Sequence, residues 1–232
     1  EKGRAYSEKM NNIISNLKKS ITDTSSAPKL LAGNGKSNVH LCIVMTADRG
    51  LCGGFNTNIV KKAKEFFNHI LNSNKKLKII TVGSKGDDQL KRNFKDCIVD
   101  RITYKNLKNI SVNEASELTN KIIAMFNNDE FDVCTIFYNK FKSVISQEPQ
   151  VQQIIPVEHF EEESVNNNEA QYEFEPDENE ILEHLLPQNI TTQLFKAFLE
   201  NAASEQGSRM SAMDNATRNA GDLIDKLTIN YN

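Results

Sequence analysis

The sequence predicts an α/β fold: a mostly parallel sheet with helices on both faces, flanked by helices from the two ends of the chain that pair as an antiparallel coiled coil. Three observations carry this reading. Strand-like apolar runs alternate with helical runs through the middle of the chain. From Gln188 to Asn232 there is no proline and hardly a turn signal. At the other end Tyr6, Met10, Ile13 and Leu17 are spaced four, three and four, the stripe of a second helix.

Taken in order, residues 1–26 read as the end of an N-terminal coiled-coil helix, and residues 27–38, rich in Gly, Ser and Asn, as a loop. VHLCIVMT (39–46) has the near-continuous apolar pattern of a strand buried on both faces. ADRGLCGG is a turn, and FNTNIVKKAKEFFNHIL (55–71) has helical periodicity. LKIITV (77–82) is a strand, GSKGDDQLKRNF (83–94) a short helix and CIVDRITY (97–104) a strand. SVNEASELTNKIIAMF (111–126) is a helix with Ser111 as N-cap and Glu114 completing a capping box. FDVCTIFYNKF (131–141) and VQQIIPV (151–157) are further strands. The α/β domain therefore spans 39–186, and right-handed crossovers put its helices on both faces.

The C-terminal segment 188–232 is too long to belong to that domain alone. Its 45 residues would span roughly 68 Å as a helix, against a radius of gyration of ~15 Å for a body of about 150 residues. Leu199, Ala202, Gln206, Arg209, Met213, Ala216, Ala220, Leu223 and Leu227 alternate by three and four as coiled-coil a and d positions do. The seam is weak, because Gln206 and Arg209 sit on it and Gly207 and Gly221 each cost about 1 kcal/mol in a helix interior. A helix of this kind depends on partners for its stability.

Net charge is −3, unevenly spread. Between Glu158 and Glu183 there are eleven acids and no Lys or Arg, which leaves twenty acids against twenty-eight bases elsewhere. The acidic block, centred on a loop at 158–170, reads as solvated. No basic stripe with interleaved aromatics is present, which argues against nucleic acid. No apolar run approaches the ~20 residues needed to cross a bilayer, so direct membrane insertion is not expected. Cys42, Cys52, Cys97 and Cys134 show no C-x-x-C spacing and read as free thiols. Cys42 and Cys134 lie in apolar strands, whereas Cys52, in a turn, is expected to be the more reactive. His40, His69, His159 and His184 have no metal-ligand spacing, so no metal is expected.

RGLCGGFN follows the first strand and opens a helix, where a phosphate-binding loop would sit. It is not G-x-G-x-x-G and lacks the G-K-[ST] ending of a P-loop, and no acid closes the second strand to hold a ribose. No nucleophile elbow or Cys/His pair appears. The glycines are explained by a tight turn that lets the helix approach the sheet. No cofactor or catalytic residue is expected.

The blocks TADRGLCGGFN (46–56), DVCTIFYNKFKSVISQ (132–147), YEFEPDE (172–178), ENAASEQGSRMSAMDNATRNAGDLI (200–224) and LTINYN (227–232) are similar to the gamma subunit of the F-type ATP synthase, most of all its bacterial form. The resemblance covers essentially the whole chain. It implies a Rossmann-like middle domain between two shaft helices, in a non-catalytic central-stalk rotor subunit that couples proton flow to ATP synthesis. Its partners would be the alpha and beta subunits of the catalytic hexamer, the epsilon subunit and the c-ring. It would sit as a peripheral protein on the cytoplasmic face of the bacterial inner membrane, or on the mitochondrial matrix face in an organelle.

Three regions inherit roles from the resemblance. Tyr172, Glu173, Phe174, Glu175, Pro176 and Asp177 match the foot that rests on the c-ring and epsilon. Glu205, Gln206, Arg209 and Met213 match the shaft where it meets the hexamer, with Arg209 expected to pair with Glu205 one turn earlier. Arg49, Gly50, Leu51, Cys52, Gly53 and Gly54 match a signature turn expected to shape the base of the sheet. The family carries further residues beyond the points matching Glu1 and Asn232, so the chain reads as the foot and lower shaft. It also lacks the redox-regulatory cysteine insertion of chloroplast forms. Two other readings compete: a small-molecule or nucleotide-binding α/β enzyme, which ATP or NAD titration would reveal, and a coiled-coil scaffold, which failure to capture epsilon would favour.

Overall fold

The computed structural model describes residues 9–10, 12–15, 27–105, 110–157 and 178–231. After a short helix α1 (Lys29–Ala32), the body runs β1 (Val39–Met45), α2 (Phe55–Asn72), β2 (Lys76–Val82), α3 (Ser84–Phe94), β3 (Ile98–Ile102), α4 (Val112–Asn127), β4 (Val133–Ser143) and β5 (Ser146–Ile155), followed by α5 (Glu178–Tyr231). The expected acidic loop at 158–170 and the expected foot at Tyr172–Asp177 lie outside the described residues.

The strand order is β3-β2-β1-β4-β5. The first four strands are parallel, and β5 returns antiparallel on β4. The chain reverses between β3 and β4, so the crossover helices fall on opposite faces. Cys42, Val44, Ile79 and Phe137 point into one core with Ile59, Phe67, Leu90 and Phe94 of α2 and α3. Leu41, Ile43, Met45, Ile136 and Tyr138 point into the other, with Leu118 and Ile122 of α4 and Ile190, Leu194 and Phe198 of α5. Each large side chain so buried contributes about 1.5–3 kcal/mol. Alternation along strands covered on both faces explains why β1 reads as unbroken apolar sequence.

The capping box at Ser111 and Glu114 is formed, Glu114 accepting from the Ser111 amide at 2.7 Å. At the β1–β2 edge a glycine is obligatory. Gly83 has φ 95, and a Cβ there would stand 2.4 Å from the Thr46 carbonyl oxygen.

Three expectations need correction. β5 begins at Ser146 rather than 151 and forms a hairpin with β4, placing Pro149 opposite Asn139. Pro149 and the polar run around it hide the strand, and they are tolerated because β5 is a sheet edge. The terminal helix starts at Glu178 and continues through Pro187. Proline forfeits one helical hydrogen bond, but Leu182, Leu186 and Ile190 on either side are fully buried, and packing outweighs the loss. Among the described N-terminal residues, Met10 and Ile14 are buried and packed with Leu182 and Leu186, while Ile13 is 46% exposed; Tyr6 and Leu17 of the predicted stripe lie outside the described residues. The two end helices thus meet, among the described residues, at the first turns of α5.

Candidate functional site

The site is the junction where α5 leaves the body. At 54 residues α5 would be about 81 Å long. Its first half packs on β4 and α4, and from Asp214 onward every described residue is exposed. The junction lies at the C-terminal ends of the parallel strands, beside the point between β1 and β4 where the strand order reverses. In open α/β sheets that crevice is where ligands bind.

Here the crevice is filled by the chain itself. β4 outruns β1: their last paired rung is Val44 with Phe137. Beyond it, β4 meets the side chains of α5 where a strand would continue. The Asn139 amide donates to Asn201 Oδ1 at 3.2 Å, and the Phe141 amide to Glu200 Oε2 at 2.9 Å. Ser204 Oγ donates to the Asn139 carbonyl at 2.9 Å, and Ser208 Oγ to the Cys52 carbonyl at 2.6 Å. All four helix residues are buried. Burial without these bonds would cost several kcal/mol, so the helix can be buried along this stripe only in the position that makes them.

The signature turn is pressed against the same stretch of helix. Leu51 (φ 61) and Gly53 (φ 54) take left-handed backbone, and a Cβ on Gly53 would meet Ser208 Oγ at 3.5 Å and the Ala212 Cβ at 4.0 Å. Asn56 organises the loop: its Oδ1 accepts from the Ala47 amide at 2.8 Å and its Nδ2 contacts the Cys52 sulfur at 3.2 Å. Gly50 faces open space, and Arg49 and Leu51 are exposed, Leu51 by 84%. The turn therefore packs against the helix through Gly53 and the Cys52 carbonyl.

Cys52 is 2% exposed, so the expectation of a reactive thiol fails. Burial pushes its pKa up; Arg209 pulls it down and Glu205 pushes it up again. The turn and the Glu205–Arg209 pair thus share one electrostatic neighbourhood. Arg209 donates to Glu205 Oε1 at 2.6 Å, as the spacing anticipates, and also to Gln206 Oε1 at 3.3 Å. Met213 is 58% exposed.

The neighbouring helix start is occupied too. The Asp48 carboxylate accepts the Ser84 amide at 2.8 Å and the Tyr104 amide at 2.9 Å. A carboxylate of the chain stands where a bound phosphate would neutralise the N-terminus of α3. Sequence reasoning missed Glu200, Asn201, Ser204, Ser208, Asn139 and Asp48. A usable signal was present: polar residues at 201, 204 and 208 continue the apolar stripe of Ile190, Leu194 and Ala197 without a break in period.

Gly207 also changes meaning. It is buried, and a Cβ there would lie 3.1 Å from the Phe141 ring and 3.3 Å from the Val144 Cα. It is the contact point for the β4–β5 hairpin, whereas Gly221 meets nothing.

Among known proteins, the family model described as ATP synthase matches residues 1–232. The chain is 66% identical to the ATP synthase gamma chain of Pelagibacter ubique, over all of this chain and 79% of that one. To the gamma chain of a Jannaschia species it is 50% identical, over all of this chain and 80% of that one. In solved structures it is similar to a chain of the Tetrahymena thermophila mitochondrial ATP synthase central stalk and c-ring. That match has a TM-score of 0.64 and 26% identity, over 90% of this chain and 85% of that one. A rotor chain of the Euglena gracilis mitochondrial ATP synthase shares the fold at TM-score 0.62 and 19% identity, over 99% and 92% of the two chains.

Proposed function

Because the chain belongs to the ATP synthase gamma chain family, and so is a central-stalk rotor subunit, we propose that it works as a shaft without chemistry of its own, carrying torque between a c-ring and a hexamer of alpha and beta subunits. The observation that carries this reading is the shape of α5. Half of it is welded to the α/β body. The other half projects with Met210, Met213, Leu223, Ile224 and Leu227 each more than half exposed. An isolated helix that keeps such side chains in water gains little stability from them. A surrounding bearing and a second shaft helix would cover them.

Two features support a non-catalytic role. The crevice of the sheet is closed by Asn201, Ser204 and Ser208. The α3 N-terminus is satisfied by Asp48. Epsilon and the polar loops of the c-ring are the partners proposed for the foot at Tyr172–Asp177, and Glu205, Gln206, Arg209 and Met213 for the approach to the hexamer. Carboxylates in the foot make that contact partly electrostatic, hence weaker as salt rises. No helix among the described residues is long and apolar enough to cross a membrane, and attachment through the c-ring would hold the subunit at the inner-membrane surface on the hexamer side.

Reconstitution tests the proposal. The full subunit, mixed with purified alpha, beta and epsilon, is expected to join the complex and to hydrolyse no ATP by itself. Stoichiometric ATP or NAD binding to the isolated subunit, with no capture by epsilon, would return the reading to an enzyme.

A further inference from the structure

The polar stripe on α5 has a mechanical consequence. Apolar packing is non-directional, so the buried Ile190, Leu194 and Phe198 hold α5 on the sheet but resist small shifts of roll and position less sharply than directional bonds do. Hydrogen bonds require short distances and near-linear geometry. Glu200 and Asn201, Ser204 and Ser208 place such bonds on three successive turns of one face, to Phe141, Asn139 and Cys52. The bonded groups belong to two different segments, the overhanging end of β4 and the turn after β1. Gly207 adds a steric stop, with its Cα side against the Phe141 ring and the Val144 backbone. Rolling α5 about its axis, or sliding it by one residue, would break all of these together and strand their partners in a buried site. The stripe also ends where exposure begins, at the root of the projecting half.

We propose that Glu200, Asn201, Ser204 and Ser208 form the torque joint of this subunit, fixing the roll and axial position of α5 so that load on the projecting half is passed to the sheet rather than lost as slip. They are positioning residues, acting through the helix they hold. This inference rests on the rotor reading.

The test compares the full complex carrying wild-type subunit with one carrying Ser204→Ala and Ser208→Ala, in membrane vesicles. Alanine favours helix, so the change removes the two hydroxyls without opposing helix formation. Two quantities are measured: ATP hydrolysed, and ions moved per ATP against an increasing gradient. The joint predicts near-normal hydrolysis and a fall in ions moved per ATP that grows with load. It also predicts roughly three- to tenfold faster amide exchange at Asn139 and Phe141, whose own bonds to Asn201 and Glu200 open more often once the two serine bonds no longer hold the helix in place. Lowered complex yield with an unchanged ion-to-ATP ratio under load would overturn the joint and leave a purely structural role. If the double variant does not assemble, Ser208→Ala alone carries the same comparison. Wild-type complex that hydrolyses ATP and moves no ions would instead refute the rotor reading beneath it.

Discussion

The Ser208 hydroxyl donates a 2.6 Å hydrogen bond to the Cys52 carbonyl, joining residues 156 positions apart. Through it the turn after the first strand is locked to the middle of the last helix. Cys52 is buried there, and its thiol feels the charges of Arg209 and Glu205.

Thiol accessibility follows from this burial. Cys42, Cys52 and Cys134 are buried, and Cys97 is the partly exposed one. Burial pushes all four thiols up, so access decides the order of reaction. Cys97 is expected to label first, with Cys52 reacting on the slow timescale of the core thiols. Mass spectrometry after timed alkylation reads this directly. Rapid labelling of Cys52 would show that the turn opens away from Ser208.

The two mid-helix glycines are expected to respond with opposite signs. Gly207→Ala places a Cβ 3.1 Å from the Phe141 ring and 3.3 Å from the Val144 Cα; two of the three close atoms are backbone and cannot swing aside, so crowding of roughly 1–3 kcal/mol outweighs the gain of about 1 kcal/mol in helix propensity. Gly221→Ala points into open space and gains up to about 1 kcal/mol of local helix stability. Thermal unfolding should shift down for the first. Helical circular dichroism should rise, with Tm held or raised, for the second.

Asp132 holds the entry to β1. Its carboxylate accepts from Asn34 Nδ2 at 2.7 Å and from the Asn38 and Val39 amides at 2.8 and 2.9 Å. Burial pushes its pKa up, but these hydrogen bonds, with Lys36, hold it below the usual aspartate value. A depressed folded-state pKa gives stability that is complete above the unfolded value, about 4, and is lost as pH falls through the lower folded value. Asp132→Asn should therefore cost roughly 1–3 kcal/mol at neutral pH, and the gap to wild type should close as pH drops below about 4. Urea midpoints across pH 2.5 to 7, about the range over which the carboxylate titrates, measure it. A gap independent of pH would mean the carboxylate is not the group responsible.

Local stability should change along α5. Amides up to Ser208 lie in the half of the helix seated on the body and are expected to exchange slowly in the isolated subunit, with the sheet around Ile43 and Ile136. From Asp214 onward, where every described residue is exposed, exchange should be fast. Slow exchange continuing to Leu227 would show that the apolar seam is already covered in the free protein.

Much of this architecture was legible in the sequence because it rests on local signals. β1 reads as a two-face strand, Ser111 and Glu114 announce a helix start, and Glu205 and Arg209 are one turn apart whatever the tertiary structure. The rest depends on contacts that sequence spacing does not show. Cys52 is buried where its carbonyl meets a residue 156 positions away. Gly207 looks like a defect until Phe141 and Val144 are placed against it. Pro187 reads as a boundary, and only the burial of Leu182 and Leu186 reveals that the helix passes through it. In the junction, the polar stripe resembles a solvated face because its partners, Asn139 and Phe141, lie on another element.

The central claim is that α5 and its body turn as one unit within a ring of other subunits. The most direct measurement attaches a probe to the sheet domain of the full subunit, immobilises the alpha–beta hexamer and records the probe's orientation during ATP hydrolysis. Stepwise rotation in one direction, dependent on ATP, is the expected result. A probe that keeps a fixed orientation while the assembled complex hydrolyses ATP would contradict the account.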